Sequence, residues 1–204
     1  LITLFLAAFL HAPLFSAQPN IVFILADDMG YGDLGCYGHP RAKTPVIDRL
    51  AKEGVRFTQH YSNGTECSPT RTAFLTGRYP QRAGGLECAI GTGNVGRYDD
   101  AIRLANQRQL GLPAKQVILP SALKPAGYVS GVFGKWHLGY EPQFNPIEHG
   151  WDDFFGYMGG NVHYFNHRET SDLHVLYRGR LPVYTEGYMT HLITDSSINF
   201  IERN

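Results

Sequence analysis

The sequence predicts an α/β fold, with a mostly parallel central sheet flanked by helices, and three observations lead there. Ile21–Ala26 (IVFILA) is a continuous apolar run rich in β-branched residues, the pattern of a strand buried on both faces. Strand-like and helix-like stretches then alternate along the chain, as in a sheet covered on both sides. Three polar motifs each follow a strand-like stretch, where ligands collect in such sheets.

The elements follow in order. Thr44 and Pro45 suit the N-cap and first position of a helix that Gly54 closes. Val55–Tyr61 alternates like a strand, and Pro69–Thr76 reads as a short helix ended by Gly77. Pro120–Ala126 forms another helix, stopped by Gly127, which feeds a strand over Tyr128–Phe133. Met189, Leu192, Ile193, Ser196, Ser197, Phe200 and Ile201 recur at offsets of three and four, one face of an amphipathic helix. No internal repeat or low-complexity linker interrupts the chain.

The 204 residues are 43% hydrophobic and 13% aromatic, enough for one core and too apolar for a disordered chain. Eighteen basic residues balance eighteen acidic ones. That excludes the basic footprint of a nucleic-acid binder, so any anion site has to come from local cations. Leu1–Leu10 is almost wholly apolar, and small residues at Ser16 and Ala17 precede a polar step. Residues 1–17 therefore read as the remnant of a secretory signal, with 18–204 as part of one domain. The run falls short of the roughly 20 residues of a membrane span. A secreted or periplasmic protein is expected, with no stable membrane insertion after cleavage; an uncleaved anchor or a buried strand is the other reading of the run. The absence of an initiating Met, and an end within a helical pattern, lead us to expect a piece of a longer chain. Three cysteines, Cys36, Cys67 and Cys88, leave one without an internal partner in an exported protein, and whether Cys36 and Cys88 pair is left open.

The first motif is Asp27-Asp28 with Met29-Gly30-Tyr31-Gly32 behind it. Adjacent carboxylates converge only where the chain turns, and a converged pair without Cys or His suits Ca²⁺ or Mg²⁺. A solvated turn with capping aspartates fits the same dipeptide. The second is Cys67-Ser68-Pro69-Thr70-Arg71. Pro69 at the first helical position would put Cys67 or Ser68 at the N-cap, beside the positive end of the helix, with Arg71 able to fork onto an oxyanion. A buried structural cysteine is the alternative. The third is Gly134-Lys135-Trp136-His137-Leu138-Gly139. Lys135 and His137 would share a face of extended chain, joining a fixed charge to a group that exchanges protons near neutrality.

Taken together, Pro19–Gly38, Cys67–Arg82 and Leu119–Gly139 resemble the formylglycine-dependent type I sulfatases, an arylsulfatase-like branch of the alkaline phosphatase superfamily. The likeness extends to the Gly150–Gly160 region. It implies the alkaline phosphatase/sulfatase-like fold, truncated to the N-terminal part of its large domain, and a sulfuric ester hydrolase. Cys67 matches the cysteine converted to Cα-formylglycine by a maturation enzyme. Asp27 and Asp28 match ligands of a metal, Ca²⁺ ahead of Mg²⁺, with residue 67 as a further ligand. Arg71, Lys135 and His137 match catalytic residues, Lys135 and His137 also contacting the sulfate. His163 is a further candidate for substrate binding, with a structural role as its alternative. Tyr157, His163, Tyr164 and His167 lie in loops compatible with a sulfated polysaccharide and equally with an aryl sulfate. The family's remaining ligands come from later sequence, so the 204 residues alone are expected to be inactive. The rival readings are a phosphomonoester or phosphonate hydrolase on the same fold and a non-catalytic glycan-binding pseudoenzyme.

Overall fold

The computed structural model describes residues 18–84, 86–91 and 99–204, and the expected signal segment lies outside them. The chain divides into two units, residues 1–56 and 57–204.

In the first unit, α1 (Pro45–Glu53) starts after Thr44 and ends at Gly54, as its sequence signals predict. Thr44 does not cap the helix through its side chain. Its Oγ1 instead donates to Asp48 Oδ1 at 2.8 Å and accepts from the Gly35 N–H at 2.9 Å. Asp48 Oδ1 also accepts from Cys36 N at 2.7 Å. The hydrogen bond from Thr44, foremost, holds the Asp48 carboxyl below its ordinary pKa. Ile21–Ala26 is not a strand: the run joins no ladder, and Ile24 is 84% exposed. Apolar β-branched residues favour extended backbone, yet a strand exists only where a neighbouring chain takes its hydrogen bonds. Val55–Tyr61 likewise forms no strand, and Val55, Phe57 and Tyr61 stand exposed.

The second unit is built on a mixed four-stranded sheet in the order β1 (Gly131–Lys135), β2 (Asp153–Tyr157), β3 (Leu176–Arg178), β4 (Leu181–Pro182). β1 and β2 run parallel, with Gly131 opposite Asp153 and Lys135 opposite Tyr157, and the two later pairings are antiparallel. The first strand begins three residues later than its sequence suggests. Before it, Ser130 is held by the Asp152 side chain, its N–H on Asp152 Oδ2 at 3.0 Å, with its carbonyl accepting from the N–H groups of Asp152 and Asp153.

Alternation along the strands sends Val132 and Phe154 to one face, Phe133 and Phe155 to the other. The first face carries the main core, with Leu86, Leu112, Ile118, Trp136 and Leu138 almost fully buried. The second is covered by α5 (Met189–Arg203), through Met189, Leu192 and Ile193. Phe200 meets Phe133 with ring centroids 5.4 Å apart, as the helical periodicity predicts. The helix expected at 120–126 is split into α-helical Leu119–Leu123 and a 3₁₀ turn at Lys124–Ala126, because Pro125 has no N–H to continue the ladder.

Candidate active site

The helix α2 (Cys67–Thr76) ends at Gly77 in the left-handed conformation, as its sequence implies, but begins earlier than expected. Glu66, not Cys67 or Ser68, is the N-cap residue, and Pro69 occupies the third position. Thr70 N donates to the Glu66 carbonyl at 3.2 Å, closing the first turn. The Glu66 carboxylate accepts from Ala89 N at 2.7 Å and fixes the entry to the helix. Cys67 is therefore in the first turn itself, where backbone N–H groups lack helical partners and the dipole is positive.

Two buried links fasten this turn to the end of β1. Ser68 is fully buried; its Oγ donates to the His137 carbonyl at 2.8 Å and accepts from Ile90 N at 3.1 Å. Arg71 Nη1 donates to the Lys135 carbonyl at 2.6 Å. Lys135, the last residue of β1, then places Nζ 2.9 Å from Cys67 Sγ. Lys135 thus brings a cation to Cys67 while Arg71 is tied to the same strand end, in a chain whose formal net charge is zero. Such an arrangement can bind an anion beside the Cys67 side chain.

His137 takes a different course from the one the sequence suggests. The backbone departs from extended geometry on both sides of Lys135, Gly134 having φ 110° and His137 φ 54°, so the two side chains do not share a strand face. Trp136 N and His137 N continue the bonding pattern of β1 onto Tyr157 and Met158 carbonyls at 2.9 and 3.1 Å. Trp136 is buried with Nε1 on the Phe144 carbonyl at 2.7 Å, which holds the turn. The His137 ring is buried and donates from Nε2 to the Ile90 carbonyl. Nδ1 consequently carries the lone pair, and no hydrogen-bond partner reaches it among the described residues. Burial foremost, helped by the nearby charges of Lys135 and Arg71 and opposed by the bond to Ile90, brings the His137 pKa down to about 4.

Asp27 and Asp28 lie in the first unit. Asp28 has φ 56°, and the turn brings the two carboxylates within 4.8 Å of each other. That answers the condition for adjacent acids to converge, and a pair of hard oxygen donors fits a Ca²⁺- or Mg²⁺-class ion. His163 sits outside this cluster, exposed, with Nδ1 accepting from Phe165 N and Asn166 N at 3.2 Å. His167 is buried on the Gly187 carbonyl at 3.0 Å. Cys36, Cys67 and Cys88 are all free thiols.

A second feature went unread in the sequence. A cavity of about 310 Å³ opens beside His137, lined also by Tyr140, Gly160, Asn161, Glu169 and Ser171. Buried Glu169 accepts from Tyr140 Oη at 2.6 Å and Gly160 N at 2.8 Å, both on Oε1. Burial and this carboxylate hold the Tyr140 phenol well above its ordinary pKa. Only the glycine pair Gly159-Gly160 hints at this in the sequence, because a Cβ at Gly160 would lie 2.7 Å from His137 Nε2.

Fold and site together define a class. Residues 19–204 match the family model described as Sulfatase, and the chain belongs to the sulfatase family. It is 42% identical over 171 residues to human N-acetylgalactosamine-6-sulfatase, covering 84% of this chain and 30% of that protein. It is 44% identical over 150 residues to mouse steryl-sulfatase, covering 71% of this chain and 23% of that one. Among solved structures, Ps i-CgsB superposes with TM-score 0.78 at 30% identity, covering 91% of this chain and 42% of that chain. BT4656, solved in complex with its substrate D-glucosamine-2-N,6-O-disulfate, gives TM-score 0.68 at 28% identity, covering 92% and 32% of the two chains. The chain spans about a third of the length of the curated relatives it matches. The sulfatase/alkaline phosphatase-like fold is that of these neighbours.

Proposed function

We propose that the mature protein hydrolyses sulfate monoesters, with residue 67 as the nucleophile after conversion of Cys67 to Cα-formylglycine. The observation that carries the proposal is Lys135 Nζ at residue 67, at the positive end of α2, with Arg71 tied to the Lys135 carbonyl. A sulfate ester carries its charge on the oxygens that surround the sulfur, so a nucleophile needs cations to offset it. The formylglycine aldehyde hydrates to a gem-diol. One diol oxygen attacks sulfur and the alcohol departs, leaving a sulfated enzyme. Loss of the proton from the second hydroxyl then re-forms the carbonyl and expels sulfate.

His137 is the proposed base for that proton, acting through Nδ1, since Nε2 is engaged by Ile90. Its low pKa keeps the ring neutral and able to accept. Asp27 and Asp28 would hold a Ca²⁺ ion, which supplies charge offset to the substrate oxygens when bound. Lys135 and His137 are the proposed sulfate contacts; His163 could contribute only through Nε2, since its Nδ1 serves a turn. A sulfated polysaccharide is the proposed substrate class, supported by the names and ligands of the relatives. Export and maturation by a formylglycine-generating enzyme belong to the same proposal.

Peptide mass spectrometry across Cys67 of protein made in a host with the maturation machinery is the test. An aldehyde at residue 67, and loss of aryl sulfate turnover in Cys67→Ala, are expected. An unaltered thiol in active protein would overturn the mechanism.

A further inference from the structure

The cavity beside His137 has a lining unlike the cluster around Cys67. The residues that surround it offer hydroxyl, amide and carboxylate groups, and no Lys or Arg is among its described lining residues. Buried Glu169 uses Oε1 for Tyr140 and Gly160, while Oε2 takes only a long bond of 3.4 Å from Ser171 Oγ. Oε2 therefore keeps acceptor capacity toward the cavity. Asn161 Oδ1 accepts from Thr170 N and Oγ1 at 3.2 and 3.0 Å, leaving its Nδ2 as a donor. An acceptor and a donor in one lining suit sugar hydroxyls, each of which both donates and accepts. At about 310 Å³ the cavity lies in the range that takes a small ligand.

Charge decides what cannot enter. Among the described residues Lys135 reaches Cys67 and Arg71 the Lys135 carbonyl, and no Lys or Arg of the described lining offers a second sulfate a counter-charge beside the Glu169 carboxylate. Desolvating an anion next to a buried like charge is strongly unfavourable. BT4656 holds a disulfated sugar on the same fold, so tolerance of a second sulfate has to be set by lining residues rather than by the fold.

We propose that this cavity receives the unsulfated, hydroxyl-bearing part of a sugar ring whose single sulfate sits at residue 67, and that Glu169 excludes a second sulfate from it. The proposal rests on the sulfatase reading and narrows its substrate class to monosulfated sugar units. Glu169 is a specificity residue on this view, and Tyr140 and Gly160 hold it in place.

The test uses the matured protein and three substrates: a hexose carrying one sulfate, the same hexose carrying two, and an aryl sulfate. The unaltered enzyme is expected to favour the monosulfated hexose by about tenfold or more in kcat/KM, the scale of one unscreened charge contact. Glu169→Gln, which keeps the shape and removes the charge, is expected to bring that ratio toward unity, chiefly through KM. Ser171→Asp, at an exposed position, is expected to widen it and gives a second readout should Glu169→Gln fail to fold. Equal turnover of the two hexose sulfates by the unaltered enzyme, or a ratio unmoved by either variant, would overturn the proposal. Absence of aryl sulfate turnover would sink the sulfatase reading instead. The cavity is then judged by calorimetric binding of the neutral hexose, expected to weaken in Glu169→Gln; no binding by the unaltered protein overturns it too.

Discussion

At the scale of single residues, the candidate site depends on groups held by backbone carbonyls. Arg71 is steadied by the Lys135 carbonyl while Lys135 reaches Cys67, so each cation fixes the other's surroundings. Arg71→Lys keeps the charge and loses the planar fork. It is expected to lower kcat/KM on an aryl sulfate by about a hundredfold. A variant retaining half the activity would remove Arg71 from the reactive cluster. Ser68 has no part in the chemistry but both its bonds are buried. Ser68→Ala leaves an N–H and a carbonyl short of a partner and is expected to cost about 2 kcal/mol in urea unfolding. The candidate site residues stand out in the sequence because they cluster in three short motifs. Glu169 does not: it acts on a backbone N–H nine positions away and on Tyr140, and no local spacing announces such a pairing.

At the scale of elements, caps and periodicity read well and pairing did not. The termini of α1, the end of α2 and the apolar face of α5 all follow from local chemistry, through Thr44, Gly54, Gly77 and the Met189–Phe200 stripe. Ile21–Ala26 has the composition of a strand, yet a ladder needs a partner that the run itself cannot specify. The start of α2 was misplaced by two residues because Pro69 tolerates the third helical position as readily as the first, both lacking a helical N–H partner. The turn after β1 is where the elements meet most tightly. Gly160→Ala puts a methyl against the His137 ring, and relief requires either ring or loop to move. The expected cost is about 1–3 kcal/mol, read as a lower urea midpoint. An unchanged midpoint would show that the loop yields freely.

At the scale of the whole molecule, two of the buried imidazoles of the second unit, His137 and His149, couple stability to pH. Burial lowers both His137 and His149 from 6.5 to about 4. As pH falls below 6.5 the unfolded chain takes up these protons first, so their contribution is full above about 6.5 and declines toward pH 4. For His137 the change amounts to on the order of 3 kcal/mol. His149 stacks near Trp136 at 5.8 Å, and neither ring nitrogen has a partner among the described residues. His149→Phe is therefore expected to flatten part of the acid decline in urea midpoints measured between pH 7 and pH 4; parallel curves for both proteins would remove His149 as a source. The burial of α2 has a further consequence, one of timing during biosynthesis. Ser68, Pro69 and Thr72 are sealed in the interior once the second unit has folded. Under the formylglycine proposal, an enzyme that reads the residues flanking Cys67 would do so only while that segment is still unfolded, so oxidation and folding would compete. Chain that folds first is expected to keep its thiol, and added maturation enzyme should convert a peptide spanning Cys67 while leaving the folded, unmodified protein untouched.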